Sequence, residues 1–158
     1  VRPHEVCLVP ERREELTTEG GLDAHGQRET LSRTIRALQD VGTIVSLFID
    51  PEPRQVDAAV ELGAPYIELH TGAYCGLQGA AREAELARLN KAAEQAHAAG
   101  LKVNAGHGLT LENVGPILEM PWLDTLNIGH SIVAHAVFVG LDAAVRAMLA
   151  RIREGNRP

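Results

Sequence analysis

Five short apolar runs, with a helical pattern between successive runs, constrain this fold more than any other feature. They are Val6–Val9, Ile44–Ile49, Tyr66–Leu69, Leu101–Val103 and Leu126–Ile128. Each has about the length of a fully buried strand. Polar or glycine residues follow each run: Pro10-Glu11, Asp50-Pro51, His70-Thr71-Gly72, Gly106-His107-Gly108 and Gly129-His130-Ser131.

The intervening segments repeat with the period of a helix. Leu31, Ile35 and Leu38 share one face, and Gly42 follows as a stop. Val56, Ala59 and Val60 precede Gly63, and Ala80–Ala99 carries Leu86, Leu89 and Ala93 before Gly100. Thr110 is placed to cap a helix over Leu111–Met120. Leu141, Val145, Met148 and Ile152 mark a last helix that Gly155 ends. Strand alternating with helix means a parallel sheet with right-handed crossovers. An open doubly wound sheet and a (β/α)8 barrel both satisfy this, and both gather chemistry at the carboxyl ends of the strands. No GxGxxG follows the first run, which counts against a dinucleotide fold. Polar ends on all five runs favour the barrel, although five strands cannot close one that needs eight. The expected fold is α/β, of the (β/α)8 TIM-barrel class, with about five of the eight units present in residues 1–158 as a single domain.

Composition narrows the function classes. A net charge of −6 gives no general attraction to nucleic acid or anionic membrane, so any anion site is local. Aromatic residues make up only 3%, too few for a nucleic-acid stacking platform. No apolar run reaches the roughly 20 residues of a membrane span. Residues 1–20 do not read as a signal peptide. Cys7 and Cys75 form neither a disulfide framework nor a zinc motif. A reduced, cytoplasmic protein is expected.

The residues with chemistry lie at strand ends. His107 stands between two glycines, which let a backbone approach a ligand closely, and its imidazole can exchange a proton near neutrality. Glu68 and His70 are two apart on a strand and therefore point to the same side. A glutamate within an apolar strand is costly unless used or paired. Gly129-His130-Ser131 ends the last strand and opens a short apolar helix. In (β/α)8 enzymes the loops after the last two strands often bind phosphate with a short extra helix, so a small phosphorylated substrate is expected. The loops Arg12–Gly26 and Ala73–Gly79 exceed what a strand-to-helix turn requires and are candidates to close over it. Asp50, Glu68, His70, His107 and His130 also permit a metal reading, but no HxH or HxxxH pair is present, and no metal is expected.

At these residues the chain resembles the pyridoxine 5'-phosphate synthases of vitamin B6 biosynthesis. The matching segments are CLVPE (7–11), LTTEGGLD (16–23), VSLFID (45–50), GAPYIELHTG (63–72), GLKVNAGHGL (100–109) and LNIGHSI (126–132). They occur in order and cover nearly the whole chain. The resemblance implies a (β/α)8 transferase that condenses 1-deoxy-D-xylulose 5-phosphate with 3-amino-2-oxopropyl phosphate, giving pyridoxine 5'-phosphate, inorganic phosphate and water. It implies no metal or organic cofactor. His107 would be the general acid and Glu68 the transition-state stabiliser. Gly108, Gly129 and His130 would bind the aminoketone phosphate, and Thr17 would contact the deoxyxylulose phosphate. Cys75 departs from the more usual alanine and reads as a packing change. A homo-oligomer, an octamer in the family, is implied as well.

The resemblance covers the last five units of the family's barrel. The first three would contain an Asn-x-Asp-His strand, a His-x-Arg loop and an Asn-x-Glu strand, with the two proton acceptors and most phosphate-binding arginines. The chain by itself is therefore expected to be inactive and self-associating. The alternatives are a non-catalytic phosphate-binding barrel fragment and a metal-dependent barrel hydrolase.

Overall fold

The structure is a computed structural model that describes residues 2–10 and 20–155. Five strands form one parallel sheet in the order β1-β2-β3-β4-β5. They are β1 (Glu5–Leu8), β2 (Ile44–Ile49), β3 (Tyr66–His70), β4 (Lys102–Gly106) and β5 (Leu123–Asn127). Helices α1 (Arg28–Gln39), α2 (Pro53–Glu61), α3 (Gly72–Gly76), α4 (Gly79–Ala98) and α5 (Val114–Ile117) lie between them, and α6 (His130–Val139) and α7 (Leu141–Gly155) follow.

The strictly sequential order decides between the two architectures. A doubly wound sheet reverses its strand order at a switch point; this sheet never does. Sequential parallel strands with right-handed crossovers carry their helices on one face, as in a (β/α)8 barrel. The sheet itself is open among the described residues: β1 pairs with β2 and β5 with β4.

Register sorts the side chains into two faces. Leu8, Leu47, Ile67, Val103 and Leu123 form one cross-strand row, and Ile49, Leu69, Ala105 and Leu126 form another. These rows join Leu31 and Ile35 of α1, Val56 of α2 and Leu89 of α4 in a single core. Burying each such aliphatic side chain contributes about 1.5–3 kcal/mol. The opposite face is polar. Cys7, Ser46, Tyr66 and Lys102 share one row, Phe48, Glu68, Asn104 and Thr125 the next, and His70, Gly106 and Asn127 the last. On it, Ser46 Oγ and Asn104 Oδ1 are buried without a hydrogen-bond partner among the described residues.

Besides one-residue shifts at the ends of β1 and β3, three elements depart from the sequence reading in ways that matter for the site. The fourth strand continues through Asn104, Ala105 and Gly106, because its polar residues belong to the second face. The fifth begins at Leu123, where a register shift against Val103/Asn104 absorbs an extra residue. The expected helix over Leu111–Met120 is only Val114–Ile117. Thr110 does not cap it: Asn113 turns back instead, accepting from Thr110 N at 2.7 Å and donating to the carbonyl of Gly108 at 3.1 Å.

Ile67 is fully buried on the central strand. Ile67→Ala leaves a cavity beneath α2 and α4 and is expected to cost about 2–5 kcal/mol. A shift in the urea midpoint at unchanged m-value checks this.

Candidate active site

The site is assembled at the carboxyl end of the sheet. Val9, Phe48, Glu68, His107, Gly108, Leu109, Asn127, Gly129, His130 and Ser131 are among the residues lining one cavity of about 410 Å³. Five of the six residues singled out from the sequence therefore meet in one place: His107, Glu68, Gly108, Gly129 and His130. The sixth, Thr17, lies outside the described residues.

His107 is held in an unusual backbone conformation. Its φ is +85°, a left-handed geometry that costs a non-glycine residue of order 1–3 kcal/mol and persists only where its surroundings impose it. Thr71, fully buried at the end of β3, imposes it. Its Oγ1 shares its one proton between the carbonyls of Gly106 and His107, and its N–H donates to the Gly106 carbonyl at 2.9 Å. Gly108 also has positive φ, and a Cβ there would press on the Cys75 side chain. Cys75 is more than a silent packing change, since its thiol donates to the His107 carbonyl at 3.6 Å. The expected loop Ala73–Gly79 is in part helical, as α3, anchored by a buried Tyr74 whose hydroxyl donates to the Asn113 carbonyl at 2.7 Å.

Glu68 is almost fully buried, at 7% exposure, and among the described residues no cation lies within salt-bridge distance of it. Desolvation pushes its carboxyl above the usual range, opposed by a 2.6 Å hydrogen bond from Asn127 Nδ2 and a 3.4 Å one from the Cys7 thiol, all on the polar face. Desolvation and the neighbouring Glu68 charge in turn push the Cys7 thiol up to about 12, so it stays a donor. Gly106 makes room beneath: a Cβ there would collide with Glu68 Oε1 and the Asn127 carbonyl. Asn127 and Cys7 escaped the sequence reading because their part in the site depends on cross-strand register.

Burial, then the nearby His70 and His130, holds the His107 imidazole below its ordinary range. The free site thus favours neutral His107. His130 opens α6, whose first-turn N–H groups lack intrahelical partners and favour an anion. Ser131 Oγ donates to the Leu109 carbonyl at 2.6 Å, tying this turn to the glycine–histidine turn after β4. Among the described residues, no group of three His, Cys, Asp or Glu side chains stands where it could hold a metal ion. Nor, among the described residues, is any helix long and apolar enough to cross a membrane.

A singly wound parallel sheet with helices between its strands, and with an imidazole, a desolvated carboxylate and a helix N-terminus at its carboxyl end, places this chain in the barrel-type α/β class. Residues 1–154 match the family model described as pyridoxal phosphate biosynthesis protein PdxJ, and the chain belongs to that family. It is similar to the pyridoxine 5'-phosphate synthases of Synechococcus sp. (strain JA-2-3B'a(2-13)), with 57% identity over 94% of this chain and 62% of that protein, and of Akkermansia muciniphila, with 54% identity over 94% and 61%. The enzyme of the same name from Thioalkalivibrio sulfidiphilus is 53% identical over 99% of this chain and 64% of its own length. The chain thus spans a little over three fifths of the length of these relatives.

Two outcomes follow from the electrostatics. With the folded pKa of His107 depressed, the unfolded chain takes up its proton first as pH falls below about 6.5. Stability is therefore lost between that value and the folded pKa, and the loss then levels off. His107→Gln is expected to remove this part of the acid slope in urea midpoints measured across pH; an unchanged slope would show that the fold does not hold the ring neutral. Asn127→Ala deletes the strongest group opposing desolvation of Glu68 and is expected to raise that carboxyl further, as read by carboxyl ¹³C shifts against pH.

Proposed function

We propose that these residues carry the acid half and the aminoketone-phosphate pocket of a pyridoxine 5'-phosphate synthase. The reaction condenses 1-deoxy-D-xylulose 5-phosphate with 3-amino-2-oxopropyl phosphate to pyridoxine 5'-phosphate, inorganic phosphate and water. The observation that carries the reading is that His107 and Glu68 line one cavity with Gly108, Gly129 and His130. His107 is the general acid that protonates a departing oxygen. Glu68, desolvated and fixed by Asn127, faces positive charge developing in the ring-forming intermediate. The turns at Gly108 and Gly129-His130, with the N-terminus of α6, receive the aminoketone phosphate. Thr17 contacts the deoxyxylulose phosphate in the same proposal.

The depressed pKa of His107 suits this role once substrate is bound. A phosphate dianion beside the ring favours imidazolium, so binding loads the acid. The family resemblance assigns the proton acceptors to segments outside those matched here, so the whole reaction belongs to a chain of the relatives' full length. A cytoplasmic homo-oligomer without nucleic-acid partners is part of the same proposal. Exposed Val133, Val137 and Phe138 on α6 and Leu141, Val145 and Leu149 on α7 support self-association.

In protein expressed from the complete natural reading frame, His107→Ala is expected to lower kcat about 10²–10⁴-fold while KM changes far less, since an acid acts in the transition state. Retained kcat with a raised KM would make His107 a binding residue. Sulfate, which stays dianionic, is expected to bind more tightly as pH falls and His107 gains its proton, with chemical-shift changes at Gly129 and Ser131 amides on sulfate addition as the readout. Binding indifferent to pH would separate the anion from this ring.

A further inference from the structure

The polar face of the sheet is not polar throughout. Phe48, Glu68, Asn104 and Thr125 are cross-strand partners in one row. Val9 stands level with Phe48 at the β1 end of that row, because it follows Leu8, the partner of Leu47. The row is therefore apolar on β1 and β2, and Glu68 marks the boundary. Val9 and Phe48 both line the cavity of about 410 Å³ that holds Glu68, His107 and the two glycine–histidine turns.

The two residues differ in how they are held. Phe48 is almost fully buried, and its ring packs on those of His70 and His107 with centroids 5.0 and 6.3 Å away. His70 is itself pinned, with Nδ1 2.9 Å from Asp50 Oδ1, and its ring meets that of His107 edge-to-face at 5.1 Å. Phe48 is thus a rigid wall. Val9, by contrast, is 50% exposed and makes the open part of the same wall. Neither side chain can donate or accept a hydrogen bond. Both substrates of the proposed reaction are rich in phosphate, hydroxyl, carbonyl and amine groups. One apolar group stands out among them, the terminal methyl of 1-deoxy-D-xylulose 5-phosphate.

We propose that Val9 and Phe48 form the wall that receives this methyl, and that they select the 1-deoxy sugar against a 1-hydroxy ketose phosphate. The proposal rests on the function given above, which supplies two anchors. The phosphate arm lies at Gly108 and Gly129-His130, and Glu68 faces the positive charge that develops at the ring nitrogen. In pyridoxine 5'-phosphate the methyl is carried by the carbon beside that nitrogen, para to the phosphate arm. It therefore lies next to Glu68 and on the side away from the phosphate turns. Leu109 and Ile128, also apolar, adjoin those turns and face the wrong end of the ring. On the far side of Glu68 the next strands are β2 and β1, which present Phe48 and Val9. β2 stands two and three strands from the strands that carry the turns, roughly 10 and 14 Å at ordinary strand spacing, and a ring with two para arms fills that gap. A hydroxyl in place of a methyl hydrogen would lose its water against this wall and gain no partner.

The test uses protein from the complete natural reading frame. It compares kcat/KM for 1-deoxy-D-xylulose 5-phosphate and D-xylulose 5-phosphate at a fixed concentration of 3-amino-2-oxopropyl phosphate. Unsubstituted protein is expected to favour the deoxy sugar about 10²-fold, the discrimination an apolar wall makes against one added hydroxyl. Val9→Thr keeps the branched shape and offers a hydroxyl partner, and is expected to lower the ratio about 10-fold. Val9→Ile stays apolar and is expected to keep it. A ratio that Val9→Thr leaves unchanged, whatever happens to the separate rates, would overturn the wall. A second measurement needs no variant. With pyridoxine 5'-phosphate bound, NOEs from its methyl protons are expected to reach the Val9 methyls and the Phe48 ring. NOEs to Leu109 or Ile128 in their place would put the methyl on the phosphate side and overturn the proposal. Failure of the synthase reading looks different: neither sugar phosphate is turned over and the product does not bind, which would sink the proposed function and the wall with it.

Discussion

The division of the sheet into one apolar and one polar face is the constraint on which the rest depends. Parallel strands in a row, with right-handed crossovers, put every helix on the same side. Leu47, Ile67, Val103 and their neighbours must then point that way, and alternation sends Ser46, Phe48, Tyr66, Glu68, His70 and Asn104 the other way. A parallel sheet is ordinarily covered and apolar on both faces. Here the second face carries carboxylates, an imidazole, two amides and a thiol. Such a face is expensive in a purely structural sheet, because each buried polar group must find a partner or cost stability for lacking one.

Strain and desolvation are concentrated at the same end. His107 is held at positive φ by a buried threonine, and Glu68 sits over a glycine that no side chain can replace without collision. Burial moves the two groups in opposite senses, the carboxyl up and the imidazole down. Each is driven toward its neutral form, because low-dielectric surroundings penalise whichever form is charged. An anion arriving at the N-terminus of α6 would reverse this for the imidazole.

Much of this was legible in the sequence, for physical reasons that differ between elements. Runs such as Ile44–Ile49 announce strands because they are short, apolar and bounded. The helix before Gly100 announces itself by length and by leucine and alanine at helical spacing. Gly106-His107-Gly108 and Gly129-His130-Ser131 stood out because glycines mark close backbone approach. The short α3 did not, because Ala-Tyr-Cys between glycines has no helical period and its reason to fold is the buried Tyr74. The helix after Thr110 was read too long because Asn113 spends its side chain stapling the turn behind it.

By itself, then, the sequence determined the alternation of strand and helix, the strand ends where chemistry gathers, and the identity of His107, Glu68, Gly108, Gly129 and His130 as a set. Those are local properties, set by apolar period and turn residues. Only the tertiary structure decided that the strand order is sequential. The same holds for the partners: Asn127 and Cys7 hold Glu68, Thr71 locks His107, and Asp50 joins His70 beside it. These are contacts across strands, and register, not spacing along the chain, brings them within reach.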